Sequence, residues 1–273
     1  MIQDIYPHVL HNQYDPSRKA SPDSIVLSFH ANDVLIKGET FPCVKDFANI
    51  NAGDLIYLFS VDDDKHYFLA REEFDVLPEG FEYINVRTLR NSGLTEQYIA
   101  FVCYTAVQLA NWYRNNKFCG RCGALTHLDG RERAIRCECG NVIYPKISPA
   151  VIVGVTNGDK LLVTKYRTGF AHFALVAGFT EIGETLEQTV AREVMEETGL
   201  KVTNIRYYKS QPWGIVDDLL AGFFCDVDGD DTITMDEGEL KIAEWRPRAD
   251  IELQPDQYSL TNEMMTVFKE GKI

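Results

Sequence analysis

Nowhere in its 273 residues does the chain carry a run of about 18 apolar residues, the least that would suggest a membrane-spanning helix. Its first residues, MIQDIYPHVL, lack the basic and long apolar parts of a secretory signal, so a cytoplasmic location and no membrane partner are expected. Basic residues are scarce: 27 Lys and Arg stand against 41 Asp and Glu, for a net charge of -14. That balance argues against a non-specific nucleic-acid binder, which draws most of its affinity from neutralising phosphates. A phosphorylated substrate is still possible if divalent cations separate the two sets of negative charge. Internal repeats and low-complexity stretches are also absent. With 45% hydrophobic residues the chain can bury a core without a disulfide framework, and its seven cysteines are expected to be thiols or metal ligands. Four of the seven fall between positions 119 and 139.

Three regions are expected. Residues 1–115 hold short β-type runs (Ser24 to Phe29, Asp33 to Ile36, Leu55 to Ser60, Tyr67 to Leu69) punctuated by Gly, Pro, Asn and Asp, and end in a helix over 96–115. They carry no catalytic constellation, and a structural or dimerisation domain is the reading. Residues 116–146 hold the cysteine cluster. In residues 147–273, two β-type runs flank Asn157-Gly158, a hairpin signal. Further strands are expected at Phe173 to Ala177, Val202 to Lys209, Leu219 to Val227 and Ala243 to Pro247, with helices over Leu186 to Thr198 and Leu260 to Lys269. The mixture predicts an α+β or mixed α/β fold.

Thr185-Leu-Glu-Gln188 has the form of a capping box, and Gly199 that of a C-terminal cap. Leu186, Val190 and Val194 make an apolar stripe that would pack on a sheet. Glu193, Glu196 and Glu197 share a face at i, i+3 and i+4, where like charges repel, and they sit near a C-terminus whose dipole disfavours anions. A bound divalent cation removes both penalties, and carboxylates suit Mg²⁺ or Mn²⁺. A solvated acidic face is the alternative.

The surrounding residues add more. Gly178, then five residues, Glu184, seven residues, Arg192-Glu193-Val194-Met195-Glu196-Glu197-Thr198-Gly199-Leu200 match the Nudix box at every fixed position. The chain is thereby identified as resembling the Nudix hydrolases. The resemblance implies an α/β/α sandwich with a mixed sheet and hydrolysis of a nucleoside diphosphate linked to another group. Glu193, Glu196 and Glu197 would hold several Mg²⁺ or Mn²⁺ ions, Arg192 would pair with Glu184, and Gly178 would permit close backbone approach.

Two features resemble the NADH pyrophosphatase subfamily. Ser210-Gln211-Pro212-Trp213 is similar to the start of its SQPWPFPxS array, although Gly214-Ile215-Val216-Asp217 follows in place of Pro-Phe-Pro. Cys119-Gly-Arg-Cys122, then Cys137-Glu-Cys139, is similar to its four-cysteine zinc ribbon, with one residue rather than two inside the second pair. The resemblance implies one structural Zn²⁺ per chain on Cys119, Cys122, Cys137 and Cys139, with His127 the nearest substitute and four free thiols the alternative. It implies NADH or NAD⁺ as substrate, giving NMN(H) and AMP, with NAD-capped RNA 5′ ends possible, and a homodimer. Glu239 would be a further catalytic, metal-holding carboxylate, or else a surface glutamate. Phe179 and Trp213, the latter in a loop beyond the strand, would sandwich the nicotinamide, and Ser210, Gln211, Pro212 and Tyr144 would line the pocket. Competing readings are a Nudix hydrolase of ADP-ribose, a non-catalytic NAD(H) sensor and a zinc-ribbon nucleic-acid module.

Overall fold

The computed structural model describes residues 1–91, 95–169, 171–255 and 257–273. They form two compact units: Ile2–Lys146 with Gly214–Asp217, and Met1 with Ile147–Trp213 and Asp218–Ile273. No helix among the described residues is long and apolar enough to cross a membrane.

The unit holding Ile2–Lys146 is β-rich. Strands β1 (Leu10–His11), β2 (Ile25–Leu27), β3 (Phe29–His30), β4 (Asp33–Ile36), β5 (Ile56–Val61), β6 (Lys65–Leu69) and β7 (Glu82–Asn85) make two sheets, ordered β1-β5-β6-β2 and β3-β4-β7. Helix α1 (Val86–Asn91) leads to α2 (Gln97–Asn115). Helix α2 is buried on most of its circumference, from Ile99 to Tyr113, because it lies inside the unit. The cysteine segment follows as a sheet of two-residue strands, β8 (His127–Leu128), β9 (Ile135–Arg136) and β10 (Val142–Ile143), in the order β10-β9-β8. It is tied to the N-terminal strands within the same unit. Arg133 Nη2 donates to the Leu58 carbonyl at 2.6 Å, and the Tyr14 hydroxyl to the Asp129 carbonyl at 2.9 Å.

The second unit is built on one mixed sheet of β11 (Ser148–Asn157), β12 (Lys160–Tyr166), β13 (Val176–Phe179), β14 (Val202–Trp213), β15 (Asp218–Val227) and β16 (Leu240–Pro247). The order is β14-β15-β11-β12-β16, with β13 also paired to β11; β11 and β15 run parallel and the other pairs antiparallel. Side chains alternate along β11. Val151, Val153 and Val155 pack under α3 (Leu186–Thr198) with its Val190 and Val194, while Ile152 faces α4 (Leu260–Lys269) with its Leu260, Met264 and Phe268. Each such side chain contributes about 1.5–3 kcal/mol by burial. One helix on each face makes an α/β/α sandwich.

Two boundaries differ from the sequence reading. The strand expected over Phe173 to Ala177 begins at Val176 and runs to Phe179, because the ladder to β11 continues to the Ala150–Phe179 pair, while Ala174 bridges to Thr164. Strand β14 does not stop at Lys209 but carries Ser210–Trp213 as well, so Trp213 ends a strand rather than standing in a loop. Pro212 is tolerated there because β14 is an edge strand, with one row of backbone groups unpaired.

Candidate active site and cysteine cluster

Helix α3 starts on the expected capping box. Gln188 N donates to Thr185 Oγ1 at 3.3 Å, and Thr185 N to Gln188 Oε1 at 2.8 Å. It ends at Gly199, which takes φ 72° and donates its N–H to the Met195 carbonyl. The last carbonyls of the helix are met by a loop that arrives from β15. Thr234 N donates to the Thr198 carbonyl at 2.8 Å and Asp236 N to the Glu197 carbonyl at 2.9 Å. That loop delivers Glu239 to the carboxylate face.

Arg192 organises this face. A guanidinium has five N–H donors, and Arg192 uses all of them. Nε and Nη2 donate to the two oxygens of Glu184 at 2.6 and 2.9 Å. Nη1 donates to Glu193 Oε1 at 2.7 Å and Glu196 Oε2 at 2.9 Å, and Nη2 also to the Phe179 carbonyl at 2.9 Å. The Glu184 carboxyl is thereby held down to about 2, chiefly by Arg192 and further by the N–H of Glu181. One oxygen each of Glu193 and Glu196 is left outside the grip of Arg192. Glu193 rests against bare backbone: a β-carbon on Gly178 would lie 2.0 Å from Glu193 Cδ.

Glu197 differs from its two neighbours. Its side chain is buried, with 2% of the residue exposed, whereas Glu196 is exposed and Glu193 half-buried. Burial pushes its carboxyl up to about 8, with the charges of Glu239 and Glu193 adding to the effect. Oε2 of Glu197 is buried without a hydrogen-bond partner. An orphaned carboxylate oxygen among like charges fits a divalent cation, which would satisfy it and relieve the repulsion.

Tyr166 and Arg167, outside every motif, join the cluster. The Tyr166 hydroxyl donates to Glu197 Oε1 at 3.5 Å, and Arg167 N donates to the Glu239 carbonyl at 3.0 Å. Both follow a register shift between Lys165 and Tyr166 in the β12–β16 ladder, which has no signature in the sequence.

The remaining expected site residues are placed unevenly. Along β11, Ser148 pairs with Asp218, the partner of Trp213, and Ala150 pairs with Phe179, so both aromatic residues stand at the same end of the sheet. Phe179 is 55% exposed and Trp213 half-buried. Ser210 and Pro212 lie half-buried on β14. Gln211 is fully buried, its Nε2 donates to the Tyr258 carbonyl at 2.7 Å, and its Oε1 accepts from Leu260 N at 2.8 Å. That amide anchors the start of α4. Tyr144 belongs to the other unit, where its hydroxyl donates to Glu132 Oε1 at 3.0 Å.

In the cysteine segment four sulfurs converge. Cys119, Cys122, Cys137 and Cys139 place their Sγ atoms within 4.8 Å of one another. Cys119 and Cys139 are 3.7 Å apart and Cys122 and Cys137 3.4 Å. Sulfurs around a tetrahedral zinc lie about 3.8 Å apart, so the spacing fits a metal ion and is too long for disulfides. The shortened pair reaches the same point as the longer one. N–H donors of Arg121 and Cys122 lower the pKa of the Cys119 thiol. His127 turns to Glu138 Oε1 at 3.8 Å.

The chain is similar to known proteins over its C-terminal part. Residues 146–265 match the NUDIX domain family model. Over 153 residues the chain is 46% identical to the NAD-capped RNA hydrolase NudC of Enterobacter sp. (strain 638), covering 55% of this chain and 58% of that protein. It is 45% identical over 154 residues to the NAD-capped RNA hydrolase NudC of Klebsiella pneumoniae (strain 342), with the same coverage. The matched part thus spans 58% of the length of these relatives. A solved NUDIX hydrolase from Nitrosomonas europaea is 21% identical, covering 56% of this chain and 90% of that one with a TM-score of 0.49.

Proposed function

We propose that the chain hydrolyses the pyrophosphate bond of NADH or NAD⁺ to NMN(H) and AMP, and removes NAD caps from RNA 5′ ends. The observation that carries the reading is the orphaned, buried Glu197 Oε2 on the intact α3 carboxylate face beside Glu239. The two NudC relatives support the choice of substrate.

In this reading Glu193, Glu196, Glu197 and Glu239 hold Mg²⁺ or Mn²⁺. The cation supplies charge neutralisation on the diphosphate and activation of the attacking water. Arg192 keeps Glu193 and Glu196 turned to the face, and through Glu184 it fixes the loop between Gly178 and Thr185. Phe179 and Trp213, at the same end of the sheet, offer apolar rings for the nicotinamide, worth about 0.5–1.5 kcal/mol each beyond area burial. Ser210 and Pro212, half-buried on the same strand as Trp213, line the approach. The four cysteines hold one Zn²⁺ that has no open position and serves structure alone. The subsidiary readings are a homodimer, which rests on the family resemblance, and a cytoplasmic location, the setting expected for cysteines that serve as thiols or metal ligands.

The test is a product assay with Mg²⁺ or Mn²⁺ on NADH, NAD⁺, ADP-ribose and NAD-capped RNA. NADH is expected to give reduced NMN and AMP, and Glu197→Gln to abolish turnover. Full activity in that variant removes the metal-face assignment. Preference for ADP-ribose replaces the substrate, and tight NADH binding without turnover makes the chain a sensor. Sedimentation of the same preparation reads the oligomeric state.

A further inference from the structure

Glu197 carries two oxygens with different surroundings. Oε1 accepts from the Tyr166 hydroxyl at 3.5 Å, and Oε2 is buried without a partner. Tyr166 stands at the end of β12, where the register against β16 shifts and pairs it with Leu240, the residue after Glu239. The same stretch binds the Glu239 loop through Arg167 N, and that loop binds the Glu197 carbonyl through Asp236 N. Bulges at such places re-aim a side chain toward a site. The result is a circuit of β12, the Glu239 loop and the end of α3, closed by the bond from the phenol to Glu197.

We infer that Tyr166 is a positioning residue for Glu197: its hydroxyl holds Oε1 and leaves Oε2 turned to the carboxylate cluster for a divalent cation. This rests on the metal-face reading above. The chemistry favours a phenol. A lysine or arginine at this position would bring a positive charge that competes with the cation for Glu197. A phenol donates one hydrogen bond and brings no charge. Partners of this kind around a metal ligand are typically worth 10–100-fold in metal affinity or activity.

The experiment measures Mn²⁺ binding by electron paramagnetic resonance of the free ion in wild type, Tyr166→Phe, Glu197→Gln and the double variant. Tyr166→Phe is expected to weaken Mn²⁺ binding by about 10-fold, with the metal-free melting temperature close to wild type. In the Glu197→Gln background the same substitution is expected to change nothing, because the phenol acts through that carboxylate. NADH turnover by Tyr166→Phe is expected to need more Mn²⁺ and to recover when Mn²⁺ is saturating. Unchanged Mn²⁺ affinity in Tyr166→Phe overturns the proposal, as does an equal loss with and without Glu197, or loss of the fold. If Glu197→Gln binds Mn²⁺ like wild type, the metal-face reading itself falls. If only Tyr166→Phe is silent, the metal face stands and the role of the phenol does not.

Discussion

At Gly178 the missing β-carbon makes room for a carboxyl group. An added methyl would meet Glu193 Cδ at 2.0 Å and both its oxygens at 2.2 Å, while the backbone there is fixed by the Val151–Gly178 pair of the sheet. Glu193 would have to move, and with it the bond from Arg192 Nη1. Misplacement of a reacting group by an ångström costs on the order of 100-fold in rate, so Gly178→Ala is expected to lower kcat on NADH by ~100-fold with an unchanged circular dichroism spectrum. Wild-type turnover in this variant would show that the position of Glu193 is not critical. The role of Gly178 was legible from its place in the box. That of Gln211 was not: its amide meets Tyr258 and Leu260, partners 47 and 49 positions away, and only the packed chain brings them together. Tyr166 was hidden for a related reason, since a bulge between two strands depends on both of them.

Helix α3 is the element that sequence describes best, because everything that defines it is local. The capping box, the stripe of Val190 and Val194, and the glycine that ends it lie within 15 residues, from Thr185 to Gly199. Strand β14 is the contrary case: Pro212 reads as a strand breaker, and only its place at the sheet edge lets the ladder run on to Trp213. The loop between Gly178 and Thr185 is attached to α3 through Glu184, and the strength of that attachment depends on pH. Arg192 holds the folded carboxyl down to about 2, below its ordinary value of 4.5. A depressed carboxyl stabilises the fold above its unfolded pKa, and the contribution is lost as pH falls from 4.5 toward 2. Glu184→Gln is therefore expected to melt at a lower temperature than wild type at pH 7, with the gap narrowing as the pH drops through that window. Thermal melts across the range check this, and a gap constant with pH would show that the ion pair is not the cause.

At the scale of the whole molecule, two groups of side chains among the described residues offer ligands of the kind a cation takes: Glu193, Glu197 and Glu239, whose charges act on one another, and the four cysteines. They differ in what else supports them. The carboxylate face rides on a sheet with apolar layers on both sides, so its scaffold stands without metal. The cysteine segment has three two-residue strands, and from Cys119 to Ile143 its buried apolar residues are Cys119, Ala134, Ile135 and Cys137. So small a core leaves much of its stability to the ion, because metal binding in such segments is itself folding free energy. Purified chain is expected to hold about one zinc ion, measured by elemental analysis, and Cys139→Ser to lose it. After chelation, hydrogen exchange is expected to speed up at amides between Cys119 and Ile143, while β11 and β12 keep their protection. Unchanged exchange in a chain shown to be metal-free would mean that the sulfurs are held together by the N-terminal strands, through Arg133 and Tyr14, and that the ion is not structural.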